Sequence, residues 1–163
     1  VPDGGPAAET AAGYSRILLP TDGSEPAADA VPHAEAVGRA YGSTVHALNV
    51  VDLQTAGGVF NAGGLDSEFV ERLEARGREA VDRVADEIGD AALEIEVRTV
   101  VERSTSFDGV AAGIRGYVEN NGIDLVVMSS HGRSNLTRQL LGSVAATVLR
   151  TVGVPVLVVK RSG

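Results

Sequence analysis

The chain has 163 residues, a length for one domain, and is 44% hydrophobic, enough to build a core covered by helices. It holds no cysteine, which excludes a disulfide framework and any thiolate metal site. The formal net charge of −8 argues against non-specific nucleic-acid binding, which needs a positive field along the phosphates, and favours solubility.

Aromatic residues make up only 4% of the chain, so the core must be Val, Leu, Ile and Ala, as suits a buried parallel sheet. Lys160 is the one lysine, and this acidic, lysine-poor balance fits either a salt-adapted proteome or a GC-rich genome. No apolar run reaches the length needed to cross a bilayer, so no membrane partner is expected. Residues 1–13 are rich in Ala, Gly, Pro and Glu and lack the basic flank and apolar stretch of a secretory signal. They read as a disordered tail before a domain spanning 14–163, and a cytoplasmic location is expected.

In chain order, residues 15–20 predict a short buried strand ending in the turn Thr21-Asp22-Gly23-Ser24. Ser24 can cap the following helix, which runs to about Tyr41, where Gly42 stops it. Pro32 conflicts with that helix and predicts either a kink or a displaced helix start. Residues 44–51 predict the second strand, and a Gly-rich loop that can act as a lid, 54–65, follows it. Asp66 is a plausible cap for the clearest helix, in which Phe69, Val70, Leu73, Ala80, Val81, Val84 and Ile88 recur on one face. Residues 93–101 alternate, with Leu93, Ile95, Val97 and Thr99 inside and Glu94, Glu96 and Arg98 outside, which predicts a half-exposed edge strand. A weaker helix over about 106–120 is interrupted by Gly109, Gly113 and Gly116 and closed by Asn121-Gly122. Residues 124–129 predict the fourth strand, 143–151 the last helix and 154–160 the fifth strand. Strands alternating with helices give an α/β doubly wound parallel sheet. Ligands of such sheets bind beyond the carboxyl ends of the strands, so the segments after strands one, two and four are the candidates.

The informative stretch runs from Val127 to Val144. A buried strand ends, and the chain enters a polar loop and reaches Gly142-Ser143 at a helix start. The first N–H groups of a helix are unpaired and carry partial positive charge, which suits a phosphate. Gly132 and Gly142 permit close backbone approach because they lack a Cβ. Ser143 can either donate to a phosphate oxygen or cap the helix. No lysine precedes Gly142-Ser143, so this is not the phosphate loop of the large NTPase class, nor does it fit the Rossmann fingerprint. A Gly-bearing loop that merely caps a helix remains the plain alternative.

Gly132, nine residues and Gly142-Ser143 match in identity and spacing the signature of the universal stress protein family, with Ser129 where the signature has its first glycine. The resemblance extends over residues 15–161. It includes Ile17 to Ser24 as first strand and turn, Val50-Val51-Asp52 as the end of the second strand and Val154 to Val159 as the closing strand. It implies one domain with a five-stranded parallel sheet of order 3-2-1-4-5 and helices on both faces. By the same resemblance, Pro20, Thr21, Asp22 and Val50 hold adenine and ribose. Met128, Ser129, Gly132, Arg133, Gly142, Ser143 and Val144 then take ribose and phosphates of ATP, ADP or AMP. A magnesium ion would bridge the phosphates and be held mainly through phosphate and water, since no carboxylate cluster looks like a cage. A homodimer through the last strand, Pro155 to Lys160, is also implied.

Two departures bear on this. Ser129 adds a side chain near the ribose, and Ser104-Thr105-Ser106 stands where relatives often have Gly-x-Pro. Both fit an alternative, a dimeric interaction protein of the family that binds no nucleotide. Asp22 can cap a helix rather than hold ribose; His131 reads as a solvated loop residue, and His33 and His46 as structural. Arg133 is expected at the ligand and Arg138 at the surface. No general base stands out beside the loop, so a regulatory binding protein is expected rather than an enzyme.

Overall fold

The computed structural model describes residues 13–54, 67–91, 95–132 and 140–160. Residues 1–12 of the expected tail, nearly all of the Gly-rich segment, Asp66, Arg133 and Arg138 lie outside the described residues. The elements in order are β1 (Arg16–Pro20), α1 (Glu25–Ala28), α2 (Val31–Tyr41), β2 (Thr44–Asp52), α3 (Ser67–Ala91), β3 (Val97–Ser104), α4 (Gly109–Asn120), β4 (Leu125–Ser129), α5 (Ser143–Thr151) and β5 (Val156–Val159). The sheet runs β3-β2-β1-β4-β5 and every pairing is parallel. This is the order the resemblance implies. Among the described residues no helix is long and apolar enough to cross a membrane.

The strands alternate between two cores. Ile17, Leu19, Val45, Ala47, Leu125 and Val127 face one side, against Val31 and Ala34 of α2 and Val81, Val84 and Ile88 of α3. Leu18, Leu48, Val50, Val126 and Met128 face the other, against Ala111, Ile114 and Val118 of α4 and Ala145 and Val148 of α5. Burying both faces explains why the central strands are apolar at nearly every position.

The conflict at Pro32 is resolved by division of the helix. Helix α1 ends at Ala28, and α2 restarts at Val31 with Pro32 in its first turn, where a missing N–H breaks no helical bond. Gly42 then ends α2 at φ +67°.

Strand β5 is shorter than the expected 154–160, and two boundaries differ from the sequence reading for reasons of packing. β3 covers Val97–Ser104, not 93–101, because its register is set by β2, from Val45 opposite Val97 to Asp52 opposite Ser104. Its two faces are also both used: Val97 and Val101 pack toward α3, while Val100 packs toward α4. Helix α4 starts at Gly109 rather than 106, because residues 106–108 form a turn in which the Gly109 N–H donates to the Ser106 carbonyl at 2.9 Å. Gly109 itself has φ +53°, a conformation that favours glycine.

At the amino end of the sheet, buried His46 and Tyr117 share a 2.7 Å hydrogen bond between Nδ1 and Oη. Burial pushes the His46 pKa below the usual 6.5, and the Arg98 and Arg16 charges push it further down. The native state therefore binds fewer protons than the unfolded chain once pH falls below about 6.5, and stability rises with pH in that window. The thermal midpoint should accordingly fall between pH 7 and pH 5. H46Q, though less stable at pH 7, should show a flatter slope over that interval; parallel profiles would contradict the assignment.

Candidate functional site

The site lies where neighbouring strands β1 and β4 send their chains to opposite faces. After β1 the chain turns toward α1 and α2, on the α3 side; after β4 it reaches α5, on the α4 side. Such a divergence leaves a crevice at the carboxyl end of the sheet.

The β1 side is built from backbone hydrogen bonds. Thr21 donates its N–H to the Leu48 carbonyl at 2.8 Å, and Asn49 Nδ2 donates to the Thr21 carbonyl at 2.9 Å. The Thr21 hydroxyl accepts from the Gly23 N–H at 3.1 Å. Asp22 Oδ1 accepts from the Ser24 N–H at 2.9 Å, while Ser24 Oγ accepts from Ala27 N as the cap of α1. Ser24 therefore does the helix capping, and Asp22 stiffens the turn before it. Its other oxygen faces the β4 loop: a Cβ built on Gly132 would stand 2.7 Å from Asp22 Oδ2. The two walls meet this closely because residue 132 is glycine.

The β4 side is pinned as well. Ser130 is buried, and its N–H donates to the Val159 carbonyl at 2.8 Å. The Gly142 N–H returns to the Ser130 carbonyl at 2.7 Å, which draws the far end of the loop back onto the strand. Gly142 is the N-cap of α5 and no side chain caps that helix, so Ser143 begins the helix without capping it. The first amides of α5, on Ser143, Val144 and Ala145, have no carbonyl a turn earlier within the helix to bond. Ser129 donates its hydroxyl to the His131 carbonyl at 2.5 Å, so the side chain that replaces the signature glycine folds back onto the backbone. His131 is tied to Ser130 Oγ at 3.0 Å.

The floor is apolar. Val50 and Met128 are buried, and Pro20 is half-buried. Val50 packs on α4 at Gly113, where an added Cβ would come within 2.6 Å of Val50 Cγ1. Beyond Val50, Asp52 Oδ1 accepts from Gln54 N at 3.0 Å, and Gln54 Nε2 donates to the Thr105 carbonyl at 2.9 Å. Asp52 Oδ2 lies 2.5 Å from where a Gly109 Cβ would stand, so its negative charge sits at the start of α4. Ser104, standing where relatives often have glycine, is buried.

The described site residues thus fall into two groups: Pro20, Thr21, Asp22 and Val50 on the β1 and β2 ends, and Met128, Ser129, Gly132, Gly142, Ser143 and Val144 on the β4 loop and α5. Arg133 lies outside the described residues. Sequence reasoning missed Asn49 and Ser130, which hold the two walls. The signal was there for Asn49, an amide inside the run Val45 to Val51 that a buried strand would not otherwise carry. Among the described residues no three or more His, Asp or Glu side chains gather as a metal cage. The uncapped start of α5 offers amides that suit an anion, and Asp22 Oδ2 faces the β4 loop at Gly132.

Residues 13–160 match the universal stress protein family. The chain belongs to that family. Universal stress protein MJ0531 of Methanocaldococcus jannaschii is 33% identical over 149 residues, covering 91% of this chain and 83% of the relative. MJ0577 of the same organism is 30% identical over 162 residues, covering 91% of this chain and 96% of the relative. Its solved structure superposes with a TM-score of 0.77 over 93% of this chain and 99% of that one. Two further solved members share the fold at lower identity. One is a universal stress protein in complex with cAMP, at 20% identity and a TM-score of 0.67, covering 93% and 100% of the two chains. The other, from Archaeoglobus fulgidus, is in complex with dAMP, at 17% identity and a TM-score of 0.64, covering 89% and 97%.

The bond from Asn49 to the Thr21 carbonyl gives a test of the β1 wall. N49A should cost about 1–2 kcal/mol in urea denaturation, the range for a partly buried hydrogen bond that loses its donor. A cost within experimental error of zero would show that the wall does not depend on it.

Proposed function

We propose that this chain binds an adenine nucleotide, ATP, ADP or AMP, in the crevice between the β1 turn and the β4 loop, and acts as a regulatory protein. The observation that carries the reading is the start of α5. Gly142 leaves the helix without a side-chain cap, and its own N–H is already bonded to Ser130, so the amides behind it face an anion site. Phosphates take the amides of Ser143 and Val144 and the backbone at Gly132, with the Ser143 hydroxyl as a further donor. The base lies over Val50, Met128 and Pro20, near Thr21, and the ribose hydroxyls reach Asp22 and the backbone at Ser129. Arg133 reads phosphate from within the loop. Magnesium is held mainly by the phosphates and water. Bound cAMP and dAMP in two solved members of the same fold support the adenine class.

The alternative, an interaction protein without nucleotide, draws on Ser129 and Ser104. The Ser129 hydroxyl is turned onto the His131 carbonyl, which leaves the backbone approach open and favours binding. A non-enzymatic role is part of this reading: among the described residues Asp22 holds the Ser24 amide and stiffens the turn, and His131 contacts Ser130. A cytoplasmic location is part of the same reading. Strand β5 ends the sheet with Leu157 39% exposed, and a second copy pairing along Pro155 to Lys160 would cover it. Sedimentation at micromolar concentration should give a dimer, and a monomer would contradict that part.

Calorimetric titration with ATP and magnesium should give a Kd tighter than about 100 μM, roughly −5.5 kcal/mol. G142D should abolish that binding, since an aspartate at the N-cap occupies the same amides, and should lower the thermal midpoint modestly with the fold retained, since its Cβ would stand 3.2 Å from the Ser130 carbonyl oxygen. Undiminished binding in G142D would remove the phosphate site from the start of α5.

A further inference from the structure

We infer that Phe107 covers the outer face of the bound base and is the residue by which this chain senses the nucleobase rather than the phosphates. The inference rests on the nucleotide reading above and adds a contact to it.

Phe107 is 96% exposed. The other described aromatic side chains are all matched. Tyr14 and Tyr41 meet edge to face with centroids 5.1 Å apart. The Arg72 guanidinium lies 5.6 Å over the Phe69 ring, and Tyr117 is buried against His46. Among the described residues, Phe107 alone has neither a ring nor a cation against it.

The turn that carries it is well tied. Ser106 N donates to Ser104 Oγ at 3.3 Å, Asp108 N to Ser106 Oγ at 3.4 Å and Gly109 N to the Ser106 carbonyl at 2.9 Å. Gln54 Nε2 anchors the Thr105 carbonyl to the end of β2. A bare ring on an ordered turn is preorganised for a partner, because little backbone freedom remains to be lost on contact.

Topology sets the turn that carries Phe107 at the apolar end of the crevice. Val50 pairs in register with Glu102, and Asp52 with Ser104, so the turn leaves β3 directly beside the base floor. It then enters α4, whose Gly113 packs on Val50, about one helical turn, or roughly 6 Å of rise, below Gly109. A purine has two faces. Val50 and Met128 would supply an apolar surface for one, and Phe107 is the planar apolar group on the neighbouring turn that would cover the other. Stacking of this kind accepts any purine and is blind to phosphate number.

The chain has no tryptophan, so F107W creates a single tryptophan reporter, excited selectively to the red of the three tyrosines. The experiment titrates wild type, F107A and F107W with ATP, AMP and inorganic tripolyphosphate. F107A should weaken ATP and AMP about tenfold, leave tripolyphosphate affinity unchanged and leave the thermal midpoint unchanged, as the ring touches nothing in the fold. F107W emission should change saturably with ATP and AMP and stay constant with tripolyphosphate. If wild type binds ATP but F107A binds it equally well and F107W emission does not move, the base contact is overturned and the nucleotide reading stands. If wild type itself gives no heat with ATP or AMP, both are overturned.

Discussion

The structure depends on one constraint: β1 and β4 are parallel neighbours whose chains leave in opposite directions. At their amino ends they are locked together. Asp124, just before β4, accepts from the Ser15 and Arg16 amides at 2.9 and 3.2 Å. Ile17 pairs with Leu125 and Leu18 with Val126. At their carboxyl ends the burial demands of the two cores pull α2 and α5 to opposite faces. The crevice is thus a by-product of covering both sides of the sheet, and a loop entering it must be fitted at atomic contact. The Asp22–Gly132 approach is that fit.

Electrostatics sharpens the role of the amides. A chain of net charge −8 repels an anion at long range, yet the Debye length at physiological ionic strength is only about 8 Å. The uncapped start of α5 offers partial positive charge there beside the Asp22 carboxylate, and on the proposed nucleotide reading a magnesium ion carried in with the phosphates would lower the charge to be accommodated. On that reading affinity would rest on short contacts that a single Cβ or carboxylate can block, rather than on a basic surface. This is why the glycines at 132 and 142 matter more to the account than any charged side chain.

Much of this was legible in the sequence. The strand–helix alternation, Gly42 as a stop and Ser143–Thr151 as the last helix follow from local chemistry. The sheet order came from the family resemblance, and the Gly132 to Ser143 spacing pointed to the loop. What local patterns missed was tertiary in origin. The alternation over 93–101 set β3 too early, because pairing with β2 and packing on two faces outweigh a period-two pattern. That Ser24 rather than Asp22 caps α1 needed the geometry of the turn. Asn49 and Ser130 fasten walls that are distant in sequence, and the bareness of Phe107 is a property of the packed fold that composition does not carry.

The most direct test of the central claim is an amide NMR titration of the full chain with ATP and magnesium. The account predicts that the largest shifts fall on Gly132, Ser143 and Val144, with smaller ones at Thr21, Asp22 and Val50, while the amides of β5 and α2 stay still. Saturable binding with shifts confined to the β5 edge or to the α2–α3 face would contradict it, as would no shift at all at millimolar nucleotide.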